Sequence, residues 1–359
     1  MNILHVTTIG FHANNRNSGV PAVLKPLSEE QNKVEGVVSR VLSIRYNQDD
    51  FFDTLDGSSM EQYLNEYRPD IVVFHTFFFI EYVKFSSCLV SKHIPYVIEP
   101  HGSFGRQAMH KSRVKKWLAI HTLFRPMIKK ASAIVYTNQG EKENSLYPKF
   151  SNIVIPNGVL DEVVFKSTDK KGSVPIFYYL GRFSIHHKGL DFLMAALRIL
   201  ESKQQEITVY FYGMGDENEM LFINEAIADF HYVKAYLKGT IFGDAKHIAL
   251  EEANILLLTS RYEGSPMTVL DALSYGNPCL VTPGTNVAEE IRFNKVGWVS
   301  ELDPQSIADT ILLAKNDYIS NKDLYTSRCK SYVLNNYSWT KIAKQSVEEY
   351  KKIIEEYGK

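Results

Sequence analysis

The chain has 359 residues, 45% of them hydrophobic, and its 40 Lys and Arg side chains nearly balance 41 Asp and Glu, which gives a formal net charge of −1. The length accommodates two domains, each with its own core, and the balanced charge argues against nucleic-acid binding, for which a basic excess is typical. No apolar run is long enough to cross a bilayer, and the cysteines lack metal-ligand spacing, so we expect a reduced, cytoplasmic protein.

Short runs of β-branched and aromatic residues alternate with helical patterns along the whole chain. Predicted strands of the first half lie at residues 3–8, 40–44, 70–76, 96–102, 133–138 and 152–158. Predicted strands of the second half lie at residues 176–182, 207–213, 233–239, 255–260, 279–284 and 298–301. Several runs are continuously apolar, as in parallel strands covered on both faces. The alternation therefore predicts two Rossmann-like, doubly wound α/β domains.

The polar segment 161–175, which contains Gly and ends in Pro, separates the two sets of strands. We predict an N-terminal domain over residues 1–160, a C-terminal domain over 161–339, and an amphipathic final helix over 340–359 that packs back on the first domain. Ligands of such sheets bind beyond the carboxyl ends of the strands. Two domains of this kind facing each other are expected to enclose a ligand cleft.

Two features of the first half are candidates for ligand contact. The loop 7–21 is long for a strand–helix connection and contains Gly10 and Gly19; such loops usually serve ligands, and disorder is the alternative. His101 follows a predicted strand, and Gly102 allows a tight bend there. A histidine at this place can reach a ligand, whereas a lone histidine is more often structural, which is our interpretation of His75.

The stretch 106–130 is basic and amphipathic. It contains Lys and Arg but no acidic residue, interleaved with apolar side chains that include Trp117, Leu118 and Phe124. This composition is typical of a helix that rests on an anionic membrane surface. The alternative is a core helix whose outward face is cationic.

The second half contains candidate phosphate contacts after two of its predicted strands. Arg182 ends one strand and Lys188 follows six residues later, a pair of cations able to neutralise a diphosphate. Gly213 and Gly215 follow the next strand, where they can let the backbone approach a nucleotide or simply close a turn. Asn218 stands where a dinucleotide fingerprint has its third glycine, so that motif is incomplete.

Residues 260–284 carry the most specific pattern. The strand 255–260 leads into Glu263 and Gly264, and we predict Ser265 as the N-cap of a helix over 266–274, with Pro266 as its first residue.

The start of this helix is an expected anion site. The amides of Met267 and Thr268 lack carbonyl partners and attract phosphate. Asp271 lies one turn beyond Met267 and Glu263 precedes the helix, so carboxylates flank the helix end. The arrangement suits a ligand that is part sugar and part phosphate, such as a nucleotide-sugar. No Asp-x-Asp triplet announces a divalent cation, and we expect neither a metal nor a cofactor.

The segments LGRFSIHHKG, YGMG, EGSPMTVLDAL, NPCLVTPG and IPNGV together resemble the retaining glycosyltransferases of family 4, which adopt the glycosyltransferase-B fold. The resemblance covers nearly the whole chain and is strongest over about residues 150–300. It implies that Glu263 meets the donor sugar, Asp271 the ribose, Arg182 and Lys188 the diphosphate, and that His101 approaches the transferred sugar. The glycine-containing first loop would serve the acceptor.

Two positions depart from the family pattern. Asp271 stands where the family usually has Glu, and the first loop has the single Gly19 where a pair of glycines is common. Asp is one carbon shorter but still accepts two hydroxyl hydrogen bonds, so we expect ribose binding to survive.

The resemblance implies transfer of a hexosyl or deoxyhexosyl unit, with retention and without a metal, from a UDP- or GDP-sugar. With the basic stretch 106–130, it suggests an undecaprenyl-linked saccharide acceptor at the cytoplasmic face of the inner membrane, in the synthesis of a bacterial capsule, exopolysaccharide or O-antigen. A nucleotide-sugar 2-epimerase of the same fold and a non-catalytic nucleotide-sugar-binding protein are the alternatives.

Overall fold

The computed structural model describes residues 1–8, 20–45, 51–55, 59–106, 113–159 and 174–358. Two compact units are present. The first comprises Met1–Gly158 with Trp339–Lys359, and the second comprises Val159–Ser338. The first division lies two residues before the boundary expected at 160, and the second lies one residue before the boundary expected at 339.

The first unit contains a parallel 7-stranded sheet of order β3-β2-β1-β4-β5-β6-β7. Its strands are β1 (Asn2–Thr7), β2 (Val38–Ser43), β3 (Asp53–Thr54), β4 (Ile71–His75), β5 (Tyr96–Glu99), β6 (Ala133–Tyr136) and β7 (Asn152–Val154). Its helices are Val20–Gln31, Met60–Tyr67, Ile80–Ser91, Arg113–His121, Arg125–Lys130, Gln139–Glu143 and Trp339–Tyr357. Every residue of β4 is buried, which explains why its first four residues are all apolar.

The final helix is part of the first unit. Gln31 Nε2 donates to Ser346 Oγ at 2.9 Å, and Gln345 Nε2 donates to the Val154 carbonyl at 3.0 Å. The apolar face of this helix supplies buried side chains from Ile342 to Ile353. Burial of that face, rather than helix propensity, accounts for its position.

The second unit contains a parallel 6-stranded sheet of order β10-β9-β8-β11-β12-β13. Its strands are β8 (Ile176–Leu180), β9 (Ile207–Tyr212), β10 (Val233–Gly239), β11 (Ile255–Leu258), β12 (Cys279–Val281) and β13 (Gly297–Val299). Its helices are Ile185–Lys188, Leu190–Ser202, Glu217–Ile227, Gly243–Glu252, Met267–Ser274, Ala288–Phe293 and Pro304–Tyr337, with a 3₁₀ turn at Pro283–Thr285.

The predicted doubly wound architecture is confirmed, and each predicted strand is present. The short strand β3 was not predicted, because two residues carry no periodic signal. In each sheet the strand order reverses beside the first strand, between β1 and β4 and between β8 and β11. Loops that leave these strand ends are where doubly wound sheets place ligands. Among the described helices, none combines the length and the apolar character needed to cross a bilayer.

Candidate functional site

Lys188 and Glu263 form an ion pair at the carboxyl ends of β8 and β11. Lys188 Nζ lies 2.6 Å from Glu263 Oε1, and the same oxygen accepts a hydrogen bond from Ser260 Oγ at 2.5 Å. The two charged side chains are 17% and 9% exposed, so water screens the pair only in part. The structure thus brings together two residues that are 75 positions apart in the chain.

Gly189 determines where Lys188 lies. The short helix Ile185–Lys188 ends at Gly189 with φ 63°, in the left-handed region. A Cβ at this position would lie 2.0 Å from the Thr259 carbonyl oxygen, so only glycine fits. Thr259 Oγ1 donates to the carbonyls of Lys188 and Gly189, at 3.3 and 3.2 Å. The Thr259 side chain thereby joins the segment after β11 to the backbone of the segment after β8, which holds Lys188 beside Glu263.

His187 belongs to the same cluster, although the sequence had indicated no role for it. Its Nε2 donates to the Tyr262 carbonyl at 2.8 Å and lies 4.0 Å from Glu263 Oε2. Its ring stacks on that of Tyr262, with centroids 4.2 Å apart. Burial lowers the pKa of His187, and the positive charges of Lys188 and Arg182 act in the same direction. A neutral His187 therefore buttresses the loop that carries Glu263. The position of His187 next to Lys188 in the sequence was the feature from which its place in this cluster could have been predicted.

Arg182 lies within electrostatic reach of this cluster. The Tyr179 hydroxyl donates to the Arg182 carbonyl at 2.8 Å. Burial raises the pKa of Tyr179, the Glu263 charge raises it further, and the Arg182 charge opposes the shift. Since Arg182 and Glu263 both act on Tyr179 and on His187, the charges of Arg182, Lys188 and Glu263 are concentrated at one end of the sheet.

Gly213 and Gly215 allow the loops after β8 and β9 to pack closely. Gly213 has φ 153°, and a Cβ there would lie 1.9 Å from the Gly181 carbonyl oxygen. A Cβ at Gly215 would lie 2.7 Å from Glu219. The loop packing accounts for both glycines, so their predicted contact with a nucleotide stays a prediction.

The helix after Glu263 begins one residue later than the sequence predicted. Its range is Met267–Ser274, and Pro266, not Ser265, is the N-cap, with φ −76° and ψ 98°. The extended ψ excludes Pro266 from the helix, while its carbonyl accepts from the Val269 amide at 2.9 Å. The predicted Ser265 cap is therefore wrong. Pro266 is buried, and the two amides of the first turn, at Met267 and Thr268, belong to partly exposed residues beside Gly264 and Ser265.

Asp271 forms an ion pair that the sequence did not indicate. Lys246 Nζ, from the helix Gly243–Glu252, lies 2.6 Å from Asp271 Oδ2. Both side chains are partly exposed. No local pattern connects residues 25 positions apart on different helices, so only the tertiary structure places Lys246 at this site.

In the first unit, His101 is the end of a buried chain of histidines. His101 Nε2 lies 3.0 Å from His75 Nδ1, and His75 Nε2 lies 2.8 Å from His5 Nδ1. Glu99 Oε2 is 3.3 Å from His75 Nδ1, and Glu99 Oε1 is 3.5 Å from His101 Nε2. The adjacent strands β1, β4 and β5 bring these side chains together. We had interpreted His75 as a lone structural histidine, whereas it links two others.

Burial dominates the ionisation of this cluster. It lowers the pKa of His5 and of His101 to about 4 and that of His75 well below the usual value. Burial, followed by the charge of Glu141, raises the pKa of Glu99 to about 8. The cluster is thus predominantly uncharged at neutral pH.

Glu141 supports the backbone of His101. Its carboxylate accepts hydrogen bonds from the amides of Gly102 and Thr137, at 2.6 and 2.8 Å, and from Thr137 Oγ1 at 2.5 Å. His101 has φ 45°, a left-handed conformation that is uncommon outside glycine and requires such support.

One cluster in the described part of the chain could hold a metal ion. His75, Glu99 and His101 each offer one ligand atom, and these atoms all lie within 4.8 Å of one another. Imidazole and carboxylate are ligands that zinc accepts. The sequence had indicated no metal, since the three residues share no motif.

Other expected sites are described only in part or not at all. Gly10 and Gly19 lie outside the described residues, as do residues 107–112 of the basic stretch. In the helix Arg113–His121, Trp117 and Leu118 are 56% and 55% exposed, whereas Ile120 is buried. Ile120 therefore belongs to the core, as the second interpretation expects, and contact of the exposed side chains with a membrane stays a prediction.

Two family models match this chain, and together they span most of it. The model for glycosyl transferases group 1 matches residues 161–328, and that for glycosyltransferase family 4 matches residues 20–162. The chain belongs to glycosyltransferase family 4. It is 26% identical over 270 residues to an Escherichia coli UDP-Gal:alpha-D-GlcNAc-diphosphoundecaprenol alpha-1,3-galactosyltransferase, an alignment that covers 69% of this chain and 67% of the relative.

An uncharacterized glycosyltransferase of Methanocaldococcus jannaschii is 27% identical to this chain over 188 residues. The alignment covers 50% of this chain and 46% of the relative. Solved structures agree on the fold. Anabaena HepE in complex with UDP and glucose has a TM-score of 0.69 at 14% identity, covering 98% of this chain and 100% of HepE. An Escherichia coli structure bound with UDP-2-fluoro glucose has a TM-score of 0.71 at 10% identity, covering 98% and 99%. The family 4 chain has the glycosyltransferase-B fold.

Proposed function

We propose that this protein is a retaining glycosyltransferase that moves a hexosyl or deoxyhexosyl unit from a UDP- or GDP-sugar to a lipid-linked saccharide. The observation that carries the proposal is the Lys188–Glu263 pair at the carboxyl ends of β8 and β11, next to the Met267–Ser274 helix. A cation, a carboxylate and free helix amides at one sheet edge match a diphosphate joined to a sugar.

In the proposed donor complex the ion pair is rearranged. The diphosphate takes the charge of Lys188, together with that of Arg182 and the first-turn amides of the helix. Glu263 then accepts hydrogen bonds from sugar hydroxyls, and Asp271 does the same for the ribose. The UDP complex of Anabaena HepE supports a nucleoside diphosphate at such a fold.

The proposed reaction retains the anomeric configuration by a front-face path. The bond between the anomeric carbon and the diphosphate oxygen breaks, and the acceptor oxygen bonds to the same face. The acceptor proton passes to a β-phosphate oxygen, while Arg182, Lys188 and the helix amides stabilise the leaving diphosphate. These charges supply the stabilisation, so the proposal needs no metal and no cofactor. From the first unit we propose His101 as the residue that accepts a hydrogen bond from a sugar hydroxyl.

The proposed acceptor is a saccharide on undecaprenyl diphosphate, in the synthesis of a capsule, an exopolysaccharide or an O-antigen. The Escherichia coli relative, named for galactosyl transfer to GlcNAc-diphosphoundecaprenol, supports this class of acceptor. We propose that the stretch 106–130, with exposed Trp117 and Leu118 among Lys and Arg side chains, rests on the cytoplasmic face of the membrane.

The test is transfer itself. Purified protein is incubated with individual UDP- and GDP-sugars and undecaprenyl-diphosphate-linked saccharides, and the extended lipid is detected by mass spectrometry. The anomeric configuration of the product is read from its NMR coupling constants. Glu263→Gln is expected to lose transfer, whereas Glu206→Gln, at an exposed position, is the matched control. An epimerised nucleotide-sugar without an acceptor product, or an inverted linkage, would contradict the proposal.

A further inference from the structure

A buried chain of hydrogen bonds runs from the final helix of the first unit to His101. We propose that this chain, through Gln31, His5 and His75, fixes His101 as a neutral imidazole with its proton on Nε2 and a bare Nδ1. His5, His75 and Gln31 are then positioning residues. The tautomer follows from the first unit alone, while its catalytic consequence rests on the proposed glycosyl transfer.

The orientation of the Gln31 amide is set by the final helix. Ser346 Oγ donates its only proton to the Ala343 carbonyl at 2.7 Å. Ser346 Oγ must therefore accept from Gln31, which presents its Nε2 at 2.9 Å. The Gln31 Oε1 faces the other way and accepts from Ser39 Oγ at 2.8 Å. Because a hydroxyl has one proton and a carbonyl none, the amide has a single consistent orientation.

The amide in turn fixes two histidines. Gln31 Oε1 lies 2.8 Å from His5 Nε2, so that nitrogen must carry the proton. His5 is fully buried and neutral, and its Nδ1 is therefore an acceptor, facing His75 Nε2 at 2.8 Å. His75 must donate from Nε2, and since it is also fully buried and neutral, its Nδ1 is bare.

The bare Nδ1 of His75 determines the tautomer of His101 in the same way. Its Nε2 lies 3.0 Å from the bare Nδ1 of His75 and 3.5 Å from Glu99 Oε1. If His101 Nε2 were also bare, two nitrogen lone pairs would face each other at hydrogen-bond distance. A proton on Nε2 removes this repulsion and satisfies both nitrogens. The remaining nitrogen, Nδ1, is then an acceptor suited to a substrate hydroxyl.

His5 provides the test, because its loss releases the chain without touching His101. In His5→Leu, His75 loses its acceptor and can move its proton to Nδ1, which then donates to His101 Nε2 and drives the His101 proton to Nδ1. In His5→Asn the side-chain oxygen is placed like the imidazole Nδ1 and keeps the acceptor. His93→Asn is the control, since His93 is exposed and has the positive φ that Asn tolerates.

The direct readout is long-range ¹H–¹⁵N correlation of the histidine rings in full-length protein without substrate, assigned with a His101→Gln variant. Wild type, His5→Asn and His93→Asn are expected to show His101 protonated on Nε2, whereas His5→Leu shows protonation on Nδ1 or a mixture. Circular dichroism melting verifies that each variant is folded. A bare His101 Nε2 in wild type overturns the inference, as does an unchanged tautomer in folded His5→Leu. The inference is also overturned if His101 Nε2 gains its proton only after a chelator has removed a bound metal ion.

Kinetics separate this inference from the proposed function. We expect His5→Leu to lower kcat by about 10- to 100-fold with KM nearly unchanged, by analogy with the loss seen when the partner that orients a metal-ligating histidine is removed, and His5→Asn to restore it. If the tautomers behave as expected but no sugar is transferred, the proposed function fails and the hydrogen-bond chain stands. If transfer occurs and His5→Leu is fully active, the positioning role is refuted.

Discussion

Replacing Glu99 by Gln is expected to abolish a pH-dependent loss of stability in the first unit. The Glu99 carboxyl is 5% exposed. The Glu99 carboxyl faces His75 and His101, and it also interacts electrostatically with Glu141 and with the hydroxyl of Tyr350. Its pKa rises from 4.5 to about 8, chiefly through burial. Between these values the folded state holds more protons than the unfolded state, so stability falls as pH rises.

Comparison of the parent with Glu99→Gln between pH 6.5 and 8 isolates this effect within the cluster. The pKa values of His5, His75 and His101 are lowered, so these histidines contribute an opposite gain of stability with rising pH, which continues to about one unit above their unfolded pKa of 6.5 and is common to the parent and the variant. Above pH 6.5, each pH unit costs up to about 1.4 kcal/mol through Glu99. The loss through Glu99 across the window is therefore up to about 2 kcal/mol, measured as the difference between the parent and the variant. Gln matches the neutral carboxyl in shape and cannot ionise, so the variant should not lose this stability.

Urea unfolding at pH 6.5 and at pH 8 measures the effect. Trp298 lies in the second unit, so a Trp298→Phe background leaves Trp117 and Trp339, both in the first unit, as the fluorescent probes. Glu35→Gln, at an exposed position, is the control and should behave like the parent. The reasoning is refuted if the change in the free energy of unfolding between the two pH values is the same in Glu99→Gln as in the parent.

Three further predictions concern the donor site, the loop packing and the membrane surface. Lys188→Met should weaken UDP binding by about 1.5–3 kcal/mol, roughly 10- to 150-fold in Kd, by calorimetry, and an unchanged Kd would exclude Lys188 from diphosphate binding. Gly213→Ala should destabilise the second unit by about 3 kcal/mol in urea unfolding, since its Cβ would lie 1.9 Å from the Gly181 carbonyl oxygen, and full stability would contradict that contact. Replacing Trp117 and Leu118 by Ser should reduce binding to anionic liposomes about tenfold in co-sedimentation, because more than about one kcal/mol of apolar burial is lost. Binding equal to that of the parent would exclude these side chains from membrane contact.

Local patterns carried most of the information about the fold. Runs of apolar residues predicted each long strand, because strand and helix periodicity are set by nearest neighbours along the chain. The amphipathic pattern of residues 340–357 likewise predicted the final helix. Local signals also placed Lys188 before a glycine and Glu263 between a strand and a helix. The exact start of that helix was missed by one residue, because the ψ of Pro266 depends on packing and not on residue type.

Pairings between distant residues required the tertiary structure. Asp271 and Lys246 are 25 positions apart, and His5 and His75 are 70 positions apart. The order β1-β4-β5 brings the histidines together with Glu99, and hydrophobic periodicity does not specify which strands are neighbours. The sequence by itself determined the two α/β units and the residue types at their strand ends. Tertiary structure decided which charges and ring nitrogens meet, because burial and hydrogen-bond partners, which set charge and tautomer, exist only once the strands have packed.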